Sequence, residues 1–197
     1  KIIIIEGDEY FSSPLDSTSK FMHYKADVLV VSGVEWDHVN VFPTFELYKK
    51  NFTSLINNVI STSGTIFYCG DDVFLSKKLN NQRGSIKGYY LPNYRVSDNQ
   101  FIVESDDIDI PLHVFGKHNL YNLEAAKLVC QDLGIPIEKF NKSIQSFMGA
   151  DKRLTLIKKN KNNSAIYYDF AHSPSKVYAT INAIRELFPK RHLTACF

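Results

Sequence analysis

The sequence is poor in cysteine, nearly balanced in charge and without a long apolar run. Its three cysteines, Cys69, Cys130 and Cys196, are widely scattered and lack metal-ligand spacing. That excludes a zinc ribbon or a disulfide scaffold and reads as free thiols in a reducing compartment. The 23 basic and 21 acidic side chains leave a formal net charge of +2. With the signs interspersed, no field arises that would gather nucleic acid or anionic lipid. The longest aliphatic runs, residues 2–5 and 28–31, fall far short of the roughly 20 apolar residues that cross a bilayer. The opening residues show neither the hydrophobic stretch nor the small-residue cleavage site of a secretory signal. Together these absences predict a cytoplasmic location, with no nucleic-acid and no membrane partner. Also missing are a Gly-x-x-x-x-Gly-Lys-Ser/Thr phosphate loop, a Gly-x-Ser-x-Gly elbow and a Gly-x-Gly-x-x-Gly fingerprint. These residues alone are therefore not expected to make a complete ATPase.

What is present is an ordinary globular composition, 44% hydrophobic and 22% charged over 197 residues, enough for a substantial core. Residues 2–5 and 27–31 read as strands covered on both faces, the pattern of a parallel sheet. Pro43 and Thr44 open a helix over 45–60 with Phe45, Tyr48, Phe52, Leu55 and Val59 at helical spacing, and residues 65–69 form the next strand. The alternation predicts an α/β fold with a mostly parallel central sheet and flanking helices. Short pieces from 85 to 115, broken by Pro92, Asn93, Asn99 and Pro111, predict a small antiparallel portion. Helices are expected over 119–133, ended by Gly134, and over 136–147. Past Gly149 a new unit reads as a hairpin (154–158 and 164–168), a helix from Ser173 and Pro174 to 188, and a strand at 192–197. One such module is too little for an independent domain, so the chain reads as truncated.

In open α/β sheets ligands gather beyond the carboxyl ends of the strands. The residues there are acidic: Glu6, Asp8 and Glu9 after the first run, Glu35, Asp37 and His38 after the second. Oxygen ligands with one imidazole suit Mg²⁺, and Glu6 with His38 are the first choices, against the plainer reading of solvated loop acids. Gly116-Lys-His-Asn leads into a helix N-terminus, and Asn119 and Asn122 stand one turn apart. Their carboxamides complement adenine's edge, although Asn119 as a simple helix cap is the favoured alternative. Arg153 follows the presumed junction with a guanidinium fork suited to phosphate. Asp169 and His172 lie at a strand-to-helix connection, and each alone is more often a turn residue or cap.

In order, Glu6-Gly-Asp-Glu-Tyr, Glu35-Trp-Asp-His-Val, Gly116-Lys-His-Asn-Leu-Tyr-Asn, the 149–153 junction and Tyr168-Asp-Phe-Ala-His-Ser-Pro resemble the successive signatures of the Mur ligases. The resemblance implies the central ATPase domain after its phosphate loop over residues 1–149. The start of a Rossmann-like C-terminal domain would then occupy 150–197. It implies an ATP-dependent ligase of cell-wall peptidoglycan metabolism whose cofactors are ATP and Mg²⁺. In such an enzyme an acyl phosphate forms on UDP-N-acetylmuramic acid and is captured by an amine. Glu6 and His38 would hold Mg²⁺, Asn119 and Asn122 would meet adenine, and Arg153, Asp169 and His172 would contact the nucleotide or the acyl phosphate. The stretch Ser19-Lys-Phe-Met-His-Tyr is most similar to the branch that takes a murein peptide, as opposed to free L-alanine. Phe11, Tyr168 and Ser173 depart from the usual motif residues, and Phe52 stands where several sister enzymes carry a carbamylated lysine, so no carbamate is expected. A metal-dependent hydrolase and a non-catalytic nucleotide-binding module are the alternatives of other classes.

Overall fold

A computed structural model describes residues 1–37, 39–105, 108–160 and 164–196. The chain divides into two compact units, residues 1–90 and 91–197, each built around its own core.

The first unit begins with residues 1–9, which carry no regular element, followed by the hairpin β1 (Phe11–Ser13) and β2 (Asp16–Ser19) and a 3₁₀ turn, Lys20–His23. Its sheet is three parallel strands in the order β3 (Val28–Val31), β4 (Thr65–Cys69), β5 (Ile86–Tyr89), with Val28 opposite Thr65 and Ile66 opposite Ile86. The crossovers are α1 (Phe45–Ser61) and α2 (Val73–Leu79). The Thr44 hydroxyl caps α1 by accepting the Leu47 N–H at 3.3 Å, and the helix buries Tyr48, Leu55 and Val59 of the stripe read from its spacing, together with Ile56, while Phe45 and Phe52 are half-buried. Asp72 caps α2 through Leu75 N–H at 2.8 Å. Phe52, on the same face of α1, packs its ring 5.5 Å from Phe21 and 5.0 Å from Tyr48.

The strand expected at residues 2–5 is not formed. Ile2, Ile3, Ile4 and Ile5 are 66, 75, 92 and 52% exposed, and β3 remains an edge of its sheet. A β-branched run favours burial, but it becomes a strand only where a neighbouring backbone takes its hydrogen bonds. The piece at 86–89 also differs from the antiparallel expectation. It is the third parallel strand, returned to the sheet by α2, a helix too short to show periodicity.

In the second unit β6 (Tyr94–Ser97), β7 (Gln100–Ser105) and β8 (Ile108–Leu112) form an antiparallel meander. Asp98 and Asn99 turn the first hairpin with φ of 53° and 58°, a two-residue turn whose twist matches the strands. Pro111, which cannot donate, sits in the edge strand β8. Helix α3 (Lys117–Asp132) ends at Gly134 (φ 77°), where Gly134 N–H reaches Gln131 O and Ile135 N–H reaches Cys130 O, closing the last carbonyls. Then come α4 (Ile137–Ile144), the hairpin β9 (Thr155–Lys159) with β10 (Ala165–Tyr168), and α5 (Pro174–Leu187), with Pro174 in its first turn. Phe101, Leu112, Phe115, Leu120, Leu154 and Leu187 anchor the core of this unit. The strand expected at 192–197 is not formed among the described residues 192–196, which are mostly exposed and pair with no strand. The α/β class is as predicted, with an antiparallel portion as large as the parallel sheet. Among the described residues no helix is long and apolar enough to cross a membrane.

Candidate functional site

The second unit holds most of the residues singled out from the sequence. Gly116 occupies the N-cap of α3 with φ 90° and ψ 145°, and a Cβ there would lie 2.5 Å from Ala183 Cβ on α5 and 2.9 Å from His118 Cε1. Only glycine allows both that backbone conformation and that approach. Asn119 is therefore not the cap of the helix. It stands within the first turn, its Nδ2 donating to the Phe115 carbonyl at 2.8 Å and lying 3.2 Å from His118 Nε2. His118 Nδ1 is buried and has no hydrogen-bond partner among the described residues. Burial lowers the His118 pKa from its usual 6.5, the Asp169 carboxylate pulls it back up, and the Arg153 guanidinium adds to the lowering. The balance favours the neutral ring.

Asp169, just past the end of β10, directs its oxygens at donors from three stretches. Oδ2 accepts from Leu154 N–H at 2.8 Å, and Oδ1 accepts from Ala171 N–H at 2.7 Å and from the Thr180 hydroxyl at 3.2 Å. Phe170 N–H adds a bond to Lys152 O at 2.9 Å. These bonds hold Lys152 (φ 57°) and Leu154 (φ 49°) in the left-handed region and so fix the backbone on either side of Arg153. Arg153 is exposed, its guanidinium carbon 5.8 Å from the centroid of the Phe170 ring. The Phe170 ring lies 5.1 Å from that of His172, whose Nδ1 is 2.9 Å from Phe170 O. Asn119 thus lies against His118, and Arg153 and His172 both lie against the Phe170 ring that follows Asp169. Asn122 lies exposed one turn along α3, its side chain making no hydrogen bond to a described residue.

The acidic loops of the first unit are organised differently. Glu6 is exposed in the irregular opening segment and makes no ion pair with a described residue. His38 lies outside the described residues. Glu9 Oε1 accepts the Tyr48 hydroxyl at 3.1 Å, and Asp8 pairs with Lys20 at 2.7 Å. Burial first, then Glu9 and Asp37, push the Tyr48 pKa up, so its phenol stays a donor. Asp72 Oδ2 accepts the Val34 N–H at 2.7 Å and so holds the chain leading from β3 toward residue 38. Among the described residues no three His, Cys, Asp or Glu side chains converge on one point. A Mg²⁺ that keeps most of its waters and takes one or two protein ligands needs no such cage, and an exposed carboxylate at Glu6 fits that chemistry. The exposed Arg153 and Asn122 fit an anionic, hydrogen-bonding ligand such as a nucleotide.

Tyr48, Asp72 and His118 hold the loops around the candidate residues without being among those residues. A glycine two residues before a histidine at a helix start was the available signal for His118, since it allows the ring to fold back over the backbone.

Comparison with known proteins follows from this geometry. A sequence profile described as the Mur ligase middle domain matches residues 2–130. The chain is 27% identical over 198 residues to the UDP-N-acetylmuramate–L-alanyl-γ-D-glutamyl-meso-2,6-diaminoheptandioate ligase of Haemophilus influenzae, an alignment covering 93% of this chain and 42% of that one. It is 26% identical over 213 residues to the UDP-N-acetylmuramate–L-alanine ligase of Lactococcus lactis, covering 98% of this chain and 45% of that one. Its fold is similar to the crystal structure of the UDP-N-acetylmuramate–alanine ligase of Thermotoga maritima, with a TM-score of 0.67 at 18% identity over 89% of this chain and 42% of that one. The chain spans less than half the length of the curated relatives it matches.

Proposed function

The chain belongs to the Mur ligase family through its middle domain, and from that premise we propose that it is part of an ATP-dependent carbon–nitrogen ligase of peptidoglycan recycling. The reaction proposed joins UDP-N-acetylmuramic acid to the peptide L-Ala-γ-D-Glu-meso-diaminopimelate. The γ-phosphoryl group of ATP passes to the lactyl carboxylate, giving an acyl phosphate, and the amine of the peptide's L-alanine attacks the activated carbonyl and expels phosphate. The observation that supports this reading is that Asn119 contacts a partly buried His118, which feels the charges of Asp169 and Arg153, while Arg153 and His172 both lie against Phe170.

In this proposal Asn122 and Asn119 meet the adenine edge, Arg153 holds phosphate, and Asp169 keeps the Arg153 turn in place through Leu154 N–H. Glu6 and His38 would hold Mg²⁺, which when bound neutralises charge on the transferring phosphoryl group. His172 lines the same wall through Phe170. Residues 1–149 are assigned to the middle domain and 150–197 to the beginning of the C-terminal domain. A cytoplasmic setting suits substrates of this kind.

A second reading, ligation of free L-alanine, has a specific basis: curated relatives of both kinds match at nearly equal identity, 27% and 26%. The Ser19-Lys-Phe-Met-His-Tyr stretch supports the peptide. In it Ser19 is buried, donating to Glu9 O at 2.6 Å and accepting from Asn51 Nδ2 at 2.6 Å, and Phe21 is 5% exposed. The test is phosphate release by the protein that carries this chain, supplied with MgATP. Release is expected only when UDP-N-acetylmuramic acid and an amine are both present, and faster with the tripeptide than with L-alanine. Preference for L-alanine would select the second reading. Release without an amine would point to a hydrolase, and binding without release to a nucleotide-binding module.

A further inference from the structure

The first turn of α3 carries a hydrogen-bond asymmetry that goes beyond its proposed role in meeting adenine. Asn119 Nδ2 bonds the Phe115 carbonyl at 2.8 Å, and a carbonyl can only accept, so this end of the carboxamide is the nitrogen. The same Nδ2 lies 3.2 Å from His118 Nε2. An amide nitrogen can only donate, so Nε2 must be the acceptor and the imidazole proton must reside on Nδ1. Both hydrogens of the Asn119 amide are then committed within the protein. Its Oδ1 accepts no hydrogen bond from a described residue. The tautomer is an unfavourable one for the protein, because it leaves a buried Nδ1–H with no partner among the described residues. The ring lies close over Gly116, where a Cβ would come 2.9 Å from its Cε1 and 2.5 Å from Ala183 Cβ. A buried donor left unmatched among the described residues points to a role served by the geometry other than stability.

We propose that His118 is the specificity-determining positioning residue of the nucleotide site. By accepting one Asn119 N–H it leaves that carboxamide nothing to offer a ligand but an acceptor, which selects a base carrying an exocyclic amino group over one carrying a carbonyl at the same position. The proposal rests on the reading that a nucleotide binds here. Adenine presents the amino donor; hypoxanthine, identical in outline, presents an oxygen. Against an acceptor-only Asn119, the oxygen both loses a hydrogen bond and faces a second lone pair, worth roughly ten- to hundredfold in affinity.

The experiment has two arms on the same chain. First, ¹⁵N-histidine spectra of the ligand-free protein at pH 7 are expected to show His118 protonated at Nδ1 and bare at Nε2. A proton on Nε2, or on both nitrogens, overturns the proposal without reference to any ligand. Second, MgADP and MgIDP are titrated into the wild type and into His118→Gln, His118→Asn and His118→Phe. Glutamine can place an acceptor where Nε2 lies, asparagine only where Nδ1 lies, and phenylalanine keeps the ring alone. The ADP preference is expected to survive in His118→Gln and to collapse toward unity in the other two. An unchanged preference in His118→Phe removes the role of His118 and leaves nucleotide binding intact. Failure of the wild type to bind either nucleotide overturns the nucleotide reading itself, and this proposal with it.

Discussion

Replacing Gly116 by alanine tests how closely the start of α3 approaches α5. At φ 90° and ψ 145° a non-glycine residue occupies a region that is essentially glycine-only, costing about 1–3 kcal/mol. The new Cβ would also sit 2.5 Å from Ala183 Cβ, itself 2% exposed and unable to yield, which adds roughly 1–3 kcal/mol of overpacking. The sum is on the order of 2–6 kcal/mol, a large part of the total stability of a small unit. Gly134 provides the internal control, with φ 77° but nothing within 4 Å of its added Cβ. Gly134→Ala should therefore cost only the backbone component, about 1–2 kcal/mol. Urea unfolding followed by far-UV circular dichroism reads both. With a slope of about 1–3 kcal/mol per molar urea, Gly116→Ala should move the midpoint down by roughly 1–2 M more than Gly134→Ala. Equal shifts for the two variants would refute the close approach.

Three further outcomes are expected. Asp72→Ala removes the cap of α2 and the acceptor for Val34 N–H together, and should lower stability by about 2–4 kcal/mol; a loss under about 1 kcal/mol in thermal or urea unfolding would contradict it. Asp169→Ala strips acceptors from Leu154, Ala171 and Thr180, and should cost about 2–4 kcal/mol while raising hydrogen exchange at Leu154 and Ala171; unchanged exchange at both amides would count against the clamp. Because burial lowers the His118 pKa from 6.5, the unfolded chain binds the proton more readily. Its stabilising contribution is whole above pH 6.5 and is lost as pH falls through the lowered folded value. Unfolding midpoints of wild type and His118→Gln measured from pH 8 down to 5 should diverge on the acid side, the wild type falling more steeply; parallel curves would argue against a buried neutral ring.

Much of the scaffold could be read from the chain because it is encoded locally. Thr44 and the stripe at Tyr48, Leu55 and Val59 specify α1 without reference to anything distant, and Gly134 ends α3 by its own backbone freedom. Residues 2–5 and 28–31 show the opposite case. Both are aliphatic runs, yet only Val28–Val31 is a strand, because β4 lies alongside it. Pairing is a property of the assembled sheet, not of the run. The candidate residues were legible as residue types at loop ends, and the structure sets Asn119 against His118 and both Arg153 and His172 against Phe170. What could not be read was how they bond: that Gly116 and not Asn119 takes the cap, that Asp169 grips backbone from separate stretches, and that a buried nitrogen of His118 is unmatched among the described residues. Those facts depend on which helix passes Gly116, and that is decided by Ala183, far along the chain.

The Asp169 carboxylate has a mechanical consequence. Its bonds weld the Arg153 turn to the opening of α5 and, through Thr180, to that helix's second turn. The backbone that carries Arg153 is therefore tied to that helix. Any tilt of α5 carries the Arg153 turn with it, so a force applied at one end of this element is felt at the other without a hinge between them.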